Sequence, residues 1–365
     1  MTSPTLYPLT IRAIDRSTPD ATVVTFDVPD AQAARFRFKP GQHLPLHFVV
    51  PGVEGLQRRT YSIASGPGEP LRVGIKRVRG GFISIHAQDA LAVGQVIEAE
   101  PPAGRFTFVP SETMQRQLLF LAAGSGITPI LAMVKSALAQ EPLAHVTLVY
   151  GNRTRQGSMF AAELEDLKDR YMGRFDLVSV FSRADETDAP LLTGRIDGKM
   201  ITALNGRAFE VGGLDRVFAC GPGTMIKETR DQLMALGLPR EKFAHEFFAA
   251  GGGAYRTPQP DAAAAPAVAA PAGPEVVAIL DGMRTRFTTL PGESVLDGAL
   301  RAGVKAPFAC KGGMCCTCRA KLVEGTAPMT LNYSLEAWEV DAKFVLTCQA
   351  VPQGTATVVV DYDAM

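Results

Sequence analysis

Over the first 112 residues, apolar and polar positions alternate in short runs. TVVTFDV, HLPLHFVV, YSIAS, LRVGIKRV, VIEAE and FTFV follow one another with turn residues between them. A period near two marks half-buried strands, and this many short ones in succession predict an antiparallel β-barrel or sandwich. From residue 113 the texture changes to apolar strand followed by helix. LLFLAA leads to PILAMVKSALAQ, HVTLVYG to MFAAELEDLKDRY, then FDLVSVFS, and DRVFACG to GTMIKETRDQLMALG. That alternation predicts a parallel sheet with crossover helices. Beyond residue 274, EVVAIL and TRFTTL predict a hairpin and ESVLDGALRAG a helix. RAKLV, KFVLTCQA and TATVVVDY predict further strands, completing a small α+β unit.

Residues 250–274 interrupt this order with AGGGAYRTPQPDAAAAPAVAAPAGP, a run of Ala, Pro and Gly with almost no large side chain. Such a segment cannot bury enough surface to fold, and its prolines favour extension. It predicts a tether, or a plain disordered insertion, that separates two parts. The expected organisation is therefore a barrel over 1–112, an α/β domain over 113–249, a linker over 250–274 and an α+β domain over 275–365. About twenty extended residues at about 3.1 Å each would reach on the order of 60 Å.

Length and charge narrow the function. A chain of 365 residues exceeds one compact core. Lys plus Arg balances Asp plus Glu at 37 each, which gives no support for a nucleic-acid or membrane partner. The uncharged run from Gln117 to Val134 is broken by Gly124-Ser125-Gly126 and Pro129, so it predicts a buried strand, turn and helix start rather than a membrane span. MTSPTLYPLT lacks a basic segment followed by an apolar core, so a cytoplasmic protein is expected.

The cysteines carry the strongest chemistry. Four of the six lie within CKGGMCCTC, residues 310–318. Clustering at one end of a long chain points to metal rather than disulfides. Cys310, Cys315 and Cys318 form C-x4-C-x2-C, and Cys348 follows after 29 more residues. Three thiolates from such a loop and one from a distant segment suit the two irons of a 2Fe–2S cluster. Gly312 and Gly313 let backbone N–H groups approach the sulfurs closely. Zinc is the alternative, although structural zinc prefers two short Cys knuckles and only one is present. Cys316 lies off the pattern and is expected to be a filler. The region resembles plant-type ferredoxin domains, which implies a β-grasp-like fold.

In the barrel region, Arg59, Tyr61 and Ser62 match the R-x-Y-S motif of the ferredoxin–NADP reductase superfamily. The resemblance implies FAD. Arg59 would neutralise a pyrophosphate, Tyr61 would pack on the flat ring system and Ser62 would hydrogen-bond a ring nitrogen. Gly80, Gly81 and Ser84 resemble the G-x-x-S segment that closes on the same pyrophosphate, and Pro40-Gly41-Gln42 resembles the PGQ turn.

In the α/β region, Gly124, Gly126, Thr128 and Pro129 lie where a strand turns into a helix. The free N–H groups of a helix start can cradle a phosphate there, or the segment is an ordinary tight turn. Cys220, Gly221 and Pro222 resemble the C-G-P-x-x-M segment, which implies a thiol beside the nicotinamide; a buried structural cysteine is the alternative. Ser182 and Arg183 follow the third strand, where an arginine can grip a 2′-phosphate, so NADPH is expected over NADH. Arg153 and Arg155 follow the preceding strand. Glu246 matches an acidic residue near the flavin edge in the superfamily, either a proton relay or a plain strand residue. His43 and His47, four apart in an extended segment, are read as structural.

Taken whole, GSGITP, YGNRT, GRIDG, CKGGMCCTC, NYSLE and VVVDYDA resemble the reductase subunits of bacterial phenylacetyl-CoA epoxidase complexes. The resemblance implies an oxidoreductase that takes a hydride from NADPH and passes electrons singly to a separate di-iron oxygenase. A flavin is the converter between the two. The chain contains no Glu-x-x-His pairs of a di-iron carboxylate centre. A reductase for another aromatic or alkyl oxygenase, or a zinc-containing nucleotide-binding module, are the other readings.

Overall fold

A computed structural model describes residues 5–53, 55–78, 81–183, 192–248, 273–308, 311–313, 316–332, 335 and 337–364. The chain divides into two compact units, residues 1–254 and 255–365.

The first unit opens with strands β1 (Tyr7–Asp15), β2 (Ala21–Asp27), β3 (His43–Phe48), β4 (Gln57–Ser62) and β5 (Arg72–Lys76). Helix α1 (Phe82–Asp89) and strand β6 (Val96–Ala99) follow. The six strands form one sheet in the order β4-β3-β6-β1-β2-β5, and every pairing is antiparallel. An antiparallel bridge between Ile63 and Val73 joins the two edges and curls the sheet on itself. Leu9, Ile11, Val24, Leu44, Leu46, Val73 and Ile75 fill the interior. The sequence pattern misses β1, because Pro8 and the charged Arg12 obscure its alternation.

The second half of this unit contains β7 (Gln117–Ala123), α2 (Ile127–Gln140), β8 (His145–Asn152), α3 (Ala161–Arg170) and β9 (Phe175–Phe181). It continues with α4 (Gly198–Leu204), β10 (Arg216–Gly221), α5 (Gly223–Ala235) and β11 (Phe243–Phe247). The sheet is wholly parallel, in the order β11-β10-β7-β8-β9. Leu118 through Ala122 are essentially inaccessible, as expected of a strand covered on both faces.

One expected strand is absent. FTFV forms no strand; Phe106 and Phe108 turn away from the barrel into the core of the parallel-sheet layer. Phe108 meets Phe218 edge-on at 5.6 Å, and Phe218 stacks on Phe120 at 5.4 Å. The period of two is real, but it arises from an extended connector burying alternate rings without a partner strand.

The second unit comprises β12 (Glu275–Leu280), β13 (Met283–Thr288), α6 (Val295–Arg301), β14 (Arg319–Glu324), α7 (Ala337–Asp341), β15 (Phe344–Leu346) and β16 (Val358–Asp361). Its mixed sheet runs β13-β12-β16-β14-β15, with β12 and β16 parallel. Ser294 caps α6: its hydroxyl accepts the Asp297 N–H at 3.1 Å. A second expectation also fails. KFVLTCQA is a strand only to Leu346; the N–H groups of Gln349 and Ala350 both return to the Leu346 carbonyl, so Cys348 sits in a turn.

An ion triad fastens β3, β4 and the end of β6. Glu100 accepts from Arg58 Nε at 2.6 Å and from Nη2 at 3.1 Å, and lies 2.7 Å from His47 Nε2. Burial alone would raise the Glu100 carboxyl, but the bonds from Arg58 and His47 outweigh it and hold it below its ordinary value. A carboxyl depressed in the folded state stabilises above its unfolded value of about 4.3, and that contribution disappears as pH falls through the lower folded value. Glu100→Gln should therefore cost about 1.5–3 kcal/mol at pH 7 and flatten the acid limb of the stability profile. Denaturant midpoints from pH 7 to pH 3 measure this; an acid limb as steep as in the unaltered protein contradicts it.

Candidate functional site

Alternation along β4 decides which arginine is available. Arg58 faces Glu100, whereas Arg59 and Tyr61 share the other face. The Arg59 guanidinium lies 5.5 Å from the centroid of Phe82, the first residue of α1. A cation and a helix N-terminus thus converge, and both favour an anion. Gly81 precedes that helix because nothing larger fits: a Cβ there would stand 2.8 Å from Ser84 Oγ and 3.1 Å from Val78 Cβ. The Ser84 hydroxyl accepts the Val78 N–H at 3.0 Å and donates to the Gly81 carbonyl at 2.8 Å, so it shapes the loop ahead of the helix N-terminus. Gly80 lies outside the described residues. Tyr61 packs edge-on against Phe48 at 6.2 Å, and buried Ser62 ends the strand. A cation, a helix N-terminus, an aromatic face and a hydroxyl make a donor set that fits a flavin dinucleotide.

The nucleotide half is organised by strand order. β8 and β9 run to one side of β7, and β10 lies on the other, so the connections diverge between β7 and β10. Ligands bind at that reversal, beyond the carboxyl ends of the strands. Gly124–Gly126 follow β7 there, and Cys220–Pro222 end β10. The two segments touch: a Cβ on Gly126 would lie 2.2 Å from the Cys220 carbonyl oxygen. Gly124 has φ of +56°, and the Tyr150 hydroxyl reaches its carbonyl at 3.3 Å. Thr128 donates to the Ser125 carbonyl at 2.9 Å, and Pro129 occupies the first turn of α2, where its missing N–H costs no helix bond.

Glu246 on β11 stands beside Cys220 in register. Burial, reinforced by the Glu246 charge, pushes the Cys220 thiol well above its ordinary value, so it is a neutral thiol and not a nucleophile. Ser182 and Arg183 are exposed at the end of β9. Their N–H groups bond the carbonyls of Asn152 and Arg153, which brings Arg153 and Arg183 to one edge.

The barrel closes directly on this crevice. The Ile63–Val73 bridge places Ser62 beside β5, and a Cβ on Gly74 of β5 would lie 2.8 Å from Thr128 Cγ2. The PGQ turn packs on the same helix, with the Gly41 position against Met133. Around this seam lies a charge cluster that the sequence motifs do not announce. Arg72 bonds Glu163 at 2.5 Å, and Lys135, only 9% exposed along its side chain, pairs with both Glu69 and Glu163. These residues have no common spacing in sequence, so only the fold reveals the cluster.

The cysteine loop in the second unit turns through three left-handed residues, Lys311 (φ 51°), Gly313 (φ 73°) and Cys316 (φ 53°). Left-handed residues are common where backbone N–H groups line an anion site. Cys318, just before β14, and Cys348, just after β15, are both buried. The Arg319–Leu346 pairing brings them to one end of the sheet, where the Thr347 N–H and hydroxyl both bond the Cys318 carbonyl. Cys310 and Cys315 lie outside the described residues. Two buried soft donors beside a loop with left-handed residues fit an iron–sulfur cluster. His43 and His47 lie on β3 and hold no such donor set; His47 belongs to the Glu100 triad.

Three family models match the chain: an oxidoreductase FAD-binding domain over residues 8–108, an oxidoreductase NAD-binding domain over 120–231, and a 2Fe-2S iron-sulfur cluster binding domain over 278–353. The chain is 40% identical to one subunit of the 1,2-phenylacetyl-CoA epoxidase of Escherichia coli K12, over 99% of this chain and 98% of that protein. It is 32% identical to the ferredoxin reductase component of 3-ketosteroid-9-alpha-monooxygenase of Rhodococcus rhodochrous, over 94% and 93% of the two chains. The solved structure of phthalate dioxygenase reductase shares the fold with a TM-score of 0.63 at 23% identity, covering 98% of each chain. The chain is therefore an oxidoreductase with sites for FAD, a pyridine nucleotide and a 2Fe–2S cluster. No helix among the described residues is long and apolar enough to cross a membrane.

The crevice makes one sharp demand. Gly126→Ala should cost about 1–3 kcal/mol, because backbone on both sides must move, and should weaken pyridine-nucleotide binding. Denaturation followed by flavin release, with nucleotide titrations alongside, measures both; unchanged values contradict the close packing.

Proposed function

The chain belongs to the FAD- and 2Fe–2S-containing reductase components of oxygenases, and from that premise we propose that it carries electrons from NADPH to a separate di-iron oxygenase. In the proposed system that oxygenase epoxidises the ring of phenylacetyl-CoA. The full-length likeness to a component of that epoxidase supports the choice of partner. The observation that carries the electron-transfer reading is the seam itself, where the end of β4, the β5 edge and the N-terminus of α2 meet above the β7–β10 crevice.

When bound, the pyridine nucleotide supplies a hydride, the flavin divides the electron pair, and the cluster passes electrons one at a time. The protein's part is positioning. Arg59 and the first N–H groups of α1 hold the flavin pyrophosphate, Tyr61 backs the ring system and Ser62 bonds its polar edge. Gly81 provides the room, and Ser84 keeps the loop in shape. Gly124, Gly126, Thr128 and Pro129 cradle the nicotinamide dinucleotide, while Cys220, Gly221 and Pro222 line the side of its ring. Glu246, in register beside Cys220, would relay a proton at the flavin edge. Exposed Arg183, helped by Ser182 and Arg153, takes the 2′-phosphate, which favours NADPH. Cys310, Cys315, Cys318 and Cys348 hold the cluster, in a domain that begins near residue 275 and follows a tether over 250–274. The cytoplasm, where thiols stay reduced, suits these ligands.

The test is to supply the purified holoprotein and NADPH to a phenylacetyl-CoA epoxidase oxygenase and, separately, to a 3-ketosteroid oxygenase. Epoxide formation with the first alone supports the assignment; coupled turnover with the second alone overturns it. Arg183→Ala should raise the KM for NADPH about tenfold or more and leave that for NADH unchanged. Equal effects on both nucleotides contradict the 2′-phosphate role.

A further inference from the structure

Gln349 is a polar side chain held in the second unit's buried interior, 8% exposed, immediately after the turn cysteine Cys348. A buried amide needs partners for its oxygen and both of its N–H groups. Its Oε1 accepts from the Thr330 hydroxyl at 2.8 Å. Its Nε2 donates to the Lys311 carbonyl at 2.9 Å and lies 3.6 Å from Cys348 Sγ. The orientation is fixed, because a backbone carbonyl can only accept and therefore requires the nitrogen to face Lys311. One Nε2 hydrogen is used there, and the other is left for the sulfur.

The surroundings leave the amide little freedom. The Thr330 N–H bonds the Gln349 carbonyl at 2.9 Å, and the Gln349 N–H bonds Leu346 at 2.8 Å. Gly313 packs against the Gln349 side chain; a Cβ there would meet Cγ at 3.0 Å. One side chain thus joins the cysteine loop at Lys311, the connector at Thr330 that follows β14, and the turn at Cys348.

We propose that Gln349 is a positioning residue for the iron–sulfur site whose amide N–H···S contact to Cys348 raises the reduction potential of the cluster. The physical basis is charge: an added electron increases the negative charge on the ligand sulfurs, and an N–H aimed at one of them favours that state. The amide does this without bringing a net charge into the interior. The proposal rests on Cys348 being the fourth ligand, and that reading has its own control.

The test is an anaerobic reductive titration of the holoprotein, with cluster and flavin midpoints read separately by electron paramagnetic resonance and visible absorption. Gln349→Leu should lower the cluster midpoint, leave the flavin midpoint unchanged and retain a full complement of acid-labile sulfide. Thr330→Val, which removes the hydroxyl that seats Oε1 and keeps the amide, should give a smaller fall in the same direction. A merely structural role would change cluster content or lifetime with the midpoint unmoved, and an unmoved midpoint in loaded Gln349→Leu overturns the proposal. Should Gln349→Leu fail to load its cluster, the Thr330→Val midpoint decides alone, a fall supporting the proposal and no change overturning it. Cys348→Ser separates the ligand reading: an unaltered cluster spectrum in that variant rejects Cys348 as a ligand, whatever Gln349 does.

Discussion

The first unit depends on one close approach. Gly74 on β5 leaves just enough room for Thr128, the second residue of α2, so the edge of the antiparallel sheet rests on the start of the helix that opens the nucleotide crevice. A side chain at residue 74 would push the two apart, and under the proposed reading the flavin and nicotinamide sites would separate with them. Transfer between two bound rings tolerates little misplacement, because an error near 1 Å can cost about a hundredfold in rate. The absence of one carbon atom thus lets the two layers of this unit pack within working range.

Close approach does not by itself set the angle of docking. Glu69, Arg72, Lys135 and Glu163 do that, balancing two carboxylates against two cations beside the seam. Burial would raise the Glu69 carboxyl, yet the bond from Lys135 and the Gly66 N–H outweigh it and hold it down. A desolvated ionic cluster adds little net stability compared with apolar packing. Its effect is on alternatives, since sliding the barrel along α2 would strand Lys135 without a carboxylate at low dielectric. Arg72 also lies 5.3 Å from the Phe160 ring centroid, which fixes the turn ahead of α3 to the same arginine.

Much of this architecture was legible beforehand, for identifiable reasons. The parallel sheet is buried on both faces, so its strands read as continuous apolar runs, and Gly124–Gly126 and Cys220–Pro222 announce themselves through residues that only a tight turn requires. Arg59 and Tyr61 were legible through their two-residue spacing on a strand. FTFV misled because an extended connector that buries alternate rings has the same period as a strand. KFVLTCQA misled because the turn at Thr347–Gln349 is closed by backbone bonds to Leu346, which leave no mark on side-chain pattern. The charge cluster and the Gln349 amide were invisible for a different reason: each depends on at least one partner far along the chain, Lys135 and Glu163 for the first and Lys311 for the second, and no local periodicity encodes a long-range hydrogen bond. The one available signal for Gln349 was a polar residue set among Cys348, Ala350 and an apolar strand.

The sites also divide binding from choice. Where close contact is needed, at Gly81, Gly126 and the left-handed residues of the cysteine loop, the backbone provides it, and replacement would disturb the fold. Ser182 and Arg183 are different: among the described residues they are tied down by their N–H groups, and both are exposed at the end of β9. Surface side chains of that kind add at most about 0.5 kcal/mol to stability. Under the proposed reading, preference for one dinucleotide therefore rests on residues that the fold does not need. On the same reading, the capacity to bind any dinucleotide would rest on residues that the fold cannot lose, so donor specificity could drift on this scaffold while the crevice stays in place.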